Sequence, residues 1–320
     1  MKNKSELTDF YYKKLFGTLQ KLEIDRKQLR SRIITIGFFY TFIAVVLFFT
    51  LLDKFFNVEM LVFLGFGYFS LGALVYKFLV KDYTHEFKHS IIRPLIHALD
   101  KNLKYTPSLH VPQRYFTRSK IFTQAPDKLS GNDYVKGTID GIPIQFSDIH
   151  AQKRHRDSKG RTSYKTMFQG LFVVSEFNKH FHGSTVILPD VAVSTFGDFI
   201  GGFLQSKNLS RDQLVKMDSP AFEKEFVVYS SDQVEARYIL SHTLMQQLLN
   251  YKKRSKHPLF ISFTSKNIHL AIEYNKDLFE PSVFHSLLKY KVAMEYIATL
   301  HLAIGIVQEL KLNQKLWSKQ

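Results

Sequence analysis

The sequence contains no cysteine in 320 residues. That absence excludes a disulfide scaffold, a thiolate zinc site and a cysteine nucleophile together. There is no GxxxxGK[ST] phosphate loop, GxSxG elbow, GxGxxG fingerprint or HExxH pair, so none of the short motifs that announce a reaction is present. Repeats and low-complexity tracts are also missing. Acidic residues are scarce: 28 Asp and Glu face 44 Lys and Arg, giving a net charge of +16 and a pI near 9.7. Hydrophobic residues at 45% and charged residues at 22% exclude a disordered chain. The length allows two domains. The charge invites a nucleic-acid partner, but 30 phenylalanines do not suit a simple basic binder.

Long apolar runs are abundant near the N-terminus. Residues 33–52 read IITIGFFYTFIAVVLFFTLL without a charge. Twenty residues at about 1.5 Å each match a hydrocarbon core of about 30 Å. A second run occupies 60–80, with Lys77 close enough to its end to snorkel. Both are apolar on every face, which argues against helices buried in a soluble core. Seven residues, Asp53 to Glu59, join them. The expectation is a tight transmembrane hairpin with both termini on one side. Lys21, Arg26, Lys27, Arg30 and Arg32 precede it and Lys81 follows it, so that side is expected to be cytoplasmic. A cleaved signal peptide is not expected, since the run starts late and lacks a small-residue cleavage site. The net charge divides as +5 over 1–32, zero over 33–80 and +11 over 81–320.

The flanks are helical in pattern. Tyr12, Leu15, Leu19, Leu22, Leu29 and Ile33 fall at steps of three and four, with Arg26 interrupting the register. This stripe can serve a coiled-coil contact with a partner or a second copy, or it can pack on the chain itself. Beyond the second run, Phe87, Ile91, Leu95, Leu99 and Leu103 repeat every four residues, and Pro94 predicts a kink. His85 and His89 have ligand spacing but no surrounding metal signature, and read as solvated.

Strand signals dominate from residue 133. Tyr134–Ile139 and Ile142–Phe146 flank Asp140-Gly141, which predicts a hairpin with a type I′ turn, and Pro143 suggests an edge or a bulge. Residues 167–174, 184–189 and 227–229 read as strands. Ser241 caps a helix ending at Lys252-Lys253-Arg254. Residues 259–264 and 268–273 form a second hairpin, and a long helix is expected from Pro281 to about Leu310. The fold class is α+β: a helical hairpin, then a 81–320 domain with a mainly antiparallel sheet against a long C-terminal helix.

Three polar clusters stand out. Asp148 and His150 alternate on a strand, and His180 and His182 repeat that spacing. Brought together, the four could ligate a metal, although a solvated turn explains the second pair as well. Asp232 and Glu235 resemble a helix N-terminus with an acid three residues on; Glu235 and Arg237, two apart, would not face each other on a helix, so a structural salt bridge to another element is expected rather than acid–base chemistry. The third is the basic run of Lys153, Arg154, Arg156, Lys159, Arg161 and Lys165 against the single acid Asp157. Nucleic-acid binding would want interleaved aromatics, and only Tyr164 qualifies. Anionic lipid headgroups or an acidic protein partner need charge alone, and a merely solvated loop needs nothing.

The stretches at 130–151 (SGNDYVKGTIDGIPIQFSDIHA), 168–190 (FQGLFVVSEFNKHFHGSTVILPD), 215–249 and 261–282 resemble the bacterial membrane proteins grouped as domain of unknown function 3137. The N-terminal FYYKKLFGTLQKLEIDRK (10–27) and the two apolar runs also fit that layout. The resemblance implies a two-span anchor in the bacterial inner membrane and a cytoplasmic domain, and it brings no catalytic residues. The expectation is a binding or scaffold domain without a cofactor or a resident metal. A membrane-tethered hydrolase or metal-dependent enzyme is the alternative, resting on Asp148, His150, His180 and His182. A membrane-protein partner or a homo-oligomer fits the N-terminal stripe.

Overall fold

The computed structural model describes residues 4–52, 58–176, 182–190, 212–254, 257–274, 277–289, 297–298, 301 and 304–305. The chain divides into two compact units. One holds residues 2–98 and 279–297, the other 99–278 and 298–320.

The first unit is built on helices α1 (Lys4–Lys14), α2 (Phe16–Leu52) and α3 (Val58–Phe87). Both α2 and α3 are long and apolar enough to cross a membrane, and the apolar windows that qualify them bury none of their residues. Their aromatic rings point outward, Phe63 at 76% exposure and Phe78 at 78%. They are therefore not the core helices of a soluble protein. The two touch through aromatic and polar groups: the rings of Tyr40 and Tyr68 stack 4.7 Å apart, Tyr40 Oη donates to the Tyr68 carbonyl at 2.7 Å, and the Thr41 and Tyr68 hydroxyls share a bond of 2.8 Å. Interhelical hydrogen bonds of this kind hold apolar helices together where lipid offers no hydrophobic driving force.

The N-terminal stripe is consumed inside this unit. Leu7, Tyr11, Leu15, Leu19 and Leu22 are buried, as are Phe87, Ile91, Ile92, Leu95 and Ile96. Tyr11, not Tyr12, takes the inward position, because the buried stripe runs in steps of four through Leu7, Tyr11, Leu15 and Leu19, and the backbone bonds continue from Tyr11 to Leu15 to Leu19 across the break after α1. The kink expected at Pro94 takes a specific form. Residues Lys88–Ile92 make a π turn between α3 and α4 (Arg93–Leu99), closed by the Arg93 N–H donating to the Lys88 carbonyl. Widening the turn relieves the clash between the proline ring and the preceding carbonyls. It also turns Lys88, Ile91 and Ile92 inward together. Residues 281–289 are turns and bends, not the expected helix, while 297, 298, 301, 304 and 305 are helical. The rest of that predicted helix lies outside the described residues.

The second unit is a sheet. In chain order its elements are β1 (Lys104–Thr106), α5 (Gln113–Arg118), β2 (Lys128–Ile139), β3 (Ile142–Arg156), β4 (Thr162–Glu176), β5 (Ser184–Pro189), β6 (Gln213–Val215), α6 (Pro220–Glu223), β7 (Phe226–Ser230), α7 (Gln233–Ile239), α8 (His242–Arg254), β8 (Leu259–Thr264) and β9 (Asn267–Glu273). Among the described residues the strands form one sheet in the order β1-β2-β3-β4-β9-β8-β5-β7-β6. Every pairing is antiparallel. Asp140 and Gly141 have φ of 49° and 80°, as a type I′ turn requires. Pro143 sits in an interior strand, but one residue beyond the first β3–β4 pair, Ile144↔Ser175, so its missing N–H costs that ladder nothing. One face of the sheet carries Phe168, Phe172, Val186 and Phe260 in a core completed by Phe116 and Phe122, whose rings stack at 4.9 Å. The central strands are buried on both faces, and β8 has no exposed residue.

Candidate functional site

Two candidate sites grow from β2, β3 and β4. The first is an arm. The β2–β3 ladder ends at Lys128↔Gln152 and the β4–β9 ladder at Gly170↔Glu273. Beyond them β3 and β4 pair only with each other, Lys153↔Lys165, Arg154↔Tyr164, His155↔Ser163 and Arg156↔Thr162. Four pairs at about 3.4 Å extend the arm by roughly 14 Å. A bulge between Ala151 and Gln152 lies at its root, where it re-aims the strands. Strand alternation puts Arg154, Arg156 and Tyr164 on one face and Lys153, His155 and Lys165 on the other.

The acids near the arm are committed to its architecture. Asp157 Oδ1 accepts the N–H groups of Lys159 at 3.0 Å and Arg161 at 2.8 Å, closing the tip. At the root, Asp127 Oδ2 accepts the Arg154 N–H at 2.8 Å. Lys153 Nζ stands 3.4 Å from that carboxylate and donates to the Ala125 carbonyl at 2.9 Å. The Arg154 N–H bond, then the Lys153 charge, hold the Asp127 carboxyl below its usual range. Arg154, Arg156, Lys159, Arg161 and Lys165 are all exposed. The arm therefore presents five of the six basic residues singled out in the sequence and uses Lys153 as its fastening.

The second site is a polar recess of about 260 Å³, lined by Ser130, Asn132, Asp148, His150, Gln169 and Asp277 among others. Asp148 and His150 share a face, as their spacing predicts, opposite Leu171 and Gln169 of β4. Asp148 is buried, and its Oδ2 accepts the Leu278 N–H at 2.8 Å. His150 Nε2 lies 2.8 Å from Thr166 Oγ1. Backbones crowd here: a Cβ on Gly131 would fall 2.1 Å from the Asp148 carbonyl oxygen.

The other predicted polar residues do not join the recess. His182 is exposed before β5, four strand positions from β3, a separation of roughly 19 Å. His180 lies outside the described residues. Among the described residues no group of three or more His, Asp and Glu is placed to hold a metal ion. Asp232 caps α7, accepting the N–H groups of Val234 and Glu235 at 2.9 and 3.0 Å. Glu235 does reach another element, but through backbone groups: its two oxygens accept the N–H groups of His182 and Gly183, just before β5, at 3.0 and 2.9 Å. Sequence reasoning missed Asp127, Asn132, Gln169 and Asp277. Gln169 was within reach of the strand pattern, since it faces His150 across β4. The isolated Asp127 carried no signal.

A family model described as Protein of unknown function (DUF3137) matches residues 166–312, the family that the sequence resembles. The match starts within β4, at residue 166, so the whole arm, 153–165, precedes it. No curated protein matches the chain. Among solved structures, the mycobacterial trehalose monomycolate transport factor A, TtfA, is similar with a TM-score of 0.34 and 9% identity, over 64% of this chain and 88% of that one. Similarity at that level carries no argument about this chain.

Proposed function

From a region that matches a family without an assigned activity, we propose that the chain is an integral membrane protein whose sheet unit is a binding module, with the β3–β4 arm as its contact for anionic lipid headgroups. In this reading α2 and α3 form a two-span hairpin in a bacterial inner membrane, with both tails and the sheet on the cytoplasmic side. Outward phenylalanines on two long helices support insertion, because a soluble surface does not sustain apolar area on that scale. The exposed arm is the observation that carries the binding role. Its five exposed cations outnumber the single acid among them, Asp157, whose carboxylate is engaged by backbone N–H groups of the tip. Near an anionic leaflet each such residue contributes on the order of 1 kcal/mol, so four of them are worth roughly a thousandfold in affinity. The recess supports an enzyme less well, since only Asp148 and His150 of the four predicted residues line it.

The chain has no native thiol, so Ser158→Cys at the tip takes a single environment-sensitive fluorophore. Full-length protein in nanodiscs containing phosphatidylglycerol should show a blue-shifted emission that high salt removes. Phosphatidylcholine nanodiscs should not show it. Replacing Arg154, Arg156, Lys159 and Arg161 with Gln should abolish the shift while leaving the Lys153 fastening in place. Identical spectra in the two lipids would mean a solvated arm and end the proposal.

A further inference from the structure

The arginine that interrupts the N-terminal stripe has an unusual environment. Arg26 and Glu23 lie on the inward face of α2, at 4% and 6% exposure. They form a two-bond pair, Arg26 Nε to Glu23 Oε2 at 2.9 Å and Nη2 to Oε1 at 2.7 Å. Each also grips the backbone of a distant segment. Arg26 Nη1 donates to the Val283 carbonyl at 2.6 Å, and Glu23 Oε2 accepts the Leu287 N–H at 3.1 Å. The same segment reaches the π turn, where Lys88 Nζ stands 2.5 Å from Glu280 Oε1. Val283 and Leu287 bury their side chains as well. Residues 280–287 thus cross from α2 to the junction of α3 and α4 within one compact unit. Because Arg26 and Glu23 take the backbone groups of Val283 and Leu287, those groups are not available for a helical ladder.

We propose that residues 280–287 are a clasp joining the approach to α2 with the exit from α3, latched by Glu23 and Arg26, and that it opens as a unit while the rest of the fold stays intact. Three features favour a latch over ordinary packing. The segment has no regular secondary structure of its own to hold it. Its fastening is charge-assisted and geometrically specific. Removing one partner leaves the other charge buried and uncompensated, so the clasp has a sharp failure point. Opening would free the two apolar helices at that end, which gives the helical unit two discrete arrangements.

Hydrogen exchange read by mass spectrometry on the full-length protein in nanodiscs tests this. In the parent chain, peptides covering 281–288 should exchange together, more slowly than an unstructured peptide and faster than 168–175 of β4. Arg26→Met should speed exchange of 281–288 by roughly 100-fold, and Glu23→Gln by less, with 168–175 unchanged. If Arg26→Met does not fold, Lys88→Met reads the clasp from its other end and should accelerate the same peptides. Exchange of 281–288 that is already unprotected in the parent would overturn the proposal. So would variants that leave 281–288 unchanged, or that accelerate 168–175 in parallel.

Discussion

His269 and Glu273 sit on the same face of β9, two alternations apart, and burial acts on them in opposite directions. His269 is fully buried. Its ring faces Phe172, with centroids 6.2 Å apart, and its Nδ1 meets the Ser262 and Thr264 hydroxyls at 3.3 and 3.5 Å. Desolvation lowers its pKa to about 3. The unfolded chain, with the ordinary value near 6.5, takes up the proton first. The stability this group confers is therefore present above about pH 6.5 and is lost as pH falls toward 3, about 2 kcal/mol by pH 5. Burial raises the Glu273 carboxyl to about 7, so its contribution is present below about pH 4.5 and is lost as pH rises through 7. Glu273 is only half-buried, so its share is the smaller. Thermal melts of the full chain should show modest acid destabilisation between pH 6.5 and 5. His269→Leu should reverse that slope, and Glu273→Gln should steepen it. Neither group announces itself in the sequence, because a histidine within an apolar strand looks the same whether its nitrogens are solvated or sealed. The caps Asp232 and Ser241 were legible, because capping depends on neighbours two or three residues away.

Elements follow the same divide between local and distant causes. The Asp140-Gly141 hairpin, the β8–β9 hairpin and the apolar helices were readable because turn chemistry and periodicity are local. The form of the break near Pro94 was not, since a missing N–H can give a bend, a water insertion or a π turn. Here the π turn also brings Lys88 to Glu280, so the proline does more than bend the helix. Pro94→Ala restores an N–H that can bond the Ser90 carbonyl and allows a regular α turn. That change would rotate Lys88 out of its inward position. Helical content should rise slightly by circular dichroism, and an engineered disulfide between positions 88 and 280 should form in the parent background but poorly in the Pro94→Ala background. Equal disulfide yields would show that the turn persists for another reason. The predicted helix from Pro281 is the converse failure. Proline and apolar spacing favoured it locally, but Glu23 and Arg26, more than 250 residues earlier, claim its backbone groups.

At the scale of the molecule, the net charge of +16 stops being a property of one surface. It falls outside the apolar stretch 33–80, which sums to zero, and a large exposed portion gathers on one arm. In the proposed topology the Lys/Arg bias flanking the apolar runs sets the orientation, because cations resist transfer across the bilayer while the short connection between the runs holds two acids against one lysine. The absence of cysteine makes that orientation measurable by introducing one thiol at a time. Glu59→Cys stands beside the connection, Lys27→Cys before the first span and Ser158→Cys at the tip of the arm. With a membrane-impermeant maleimide, Glu59→Cys should be labelled once the outer barrier of intact cells is permeabilised. Lys27→Cys and Ser158→Cys should be labelled only after the inner membrane is opened. Labelling of Ser158→Cys before that point would place the sheet outside and remove the cytoplasmic leaflet as the arm's target, whereas protection of all three until lysis would mean that α2 and α3 do not cross at all.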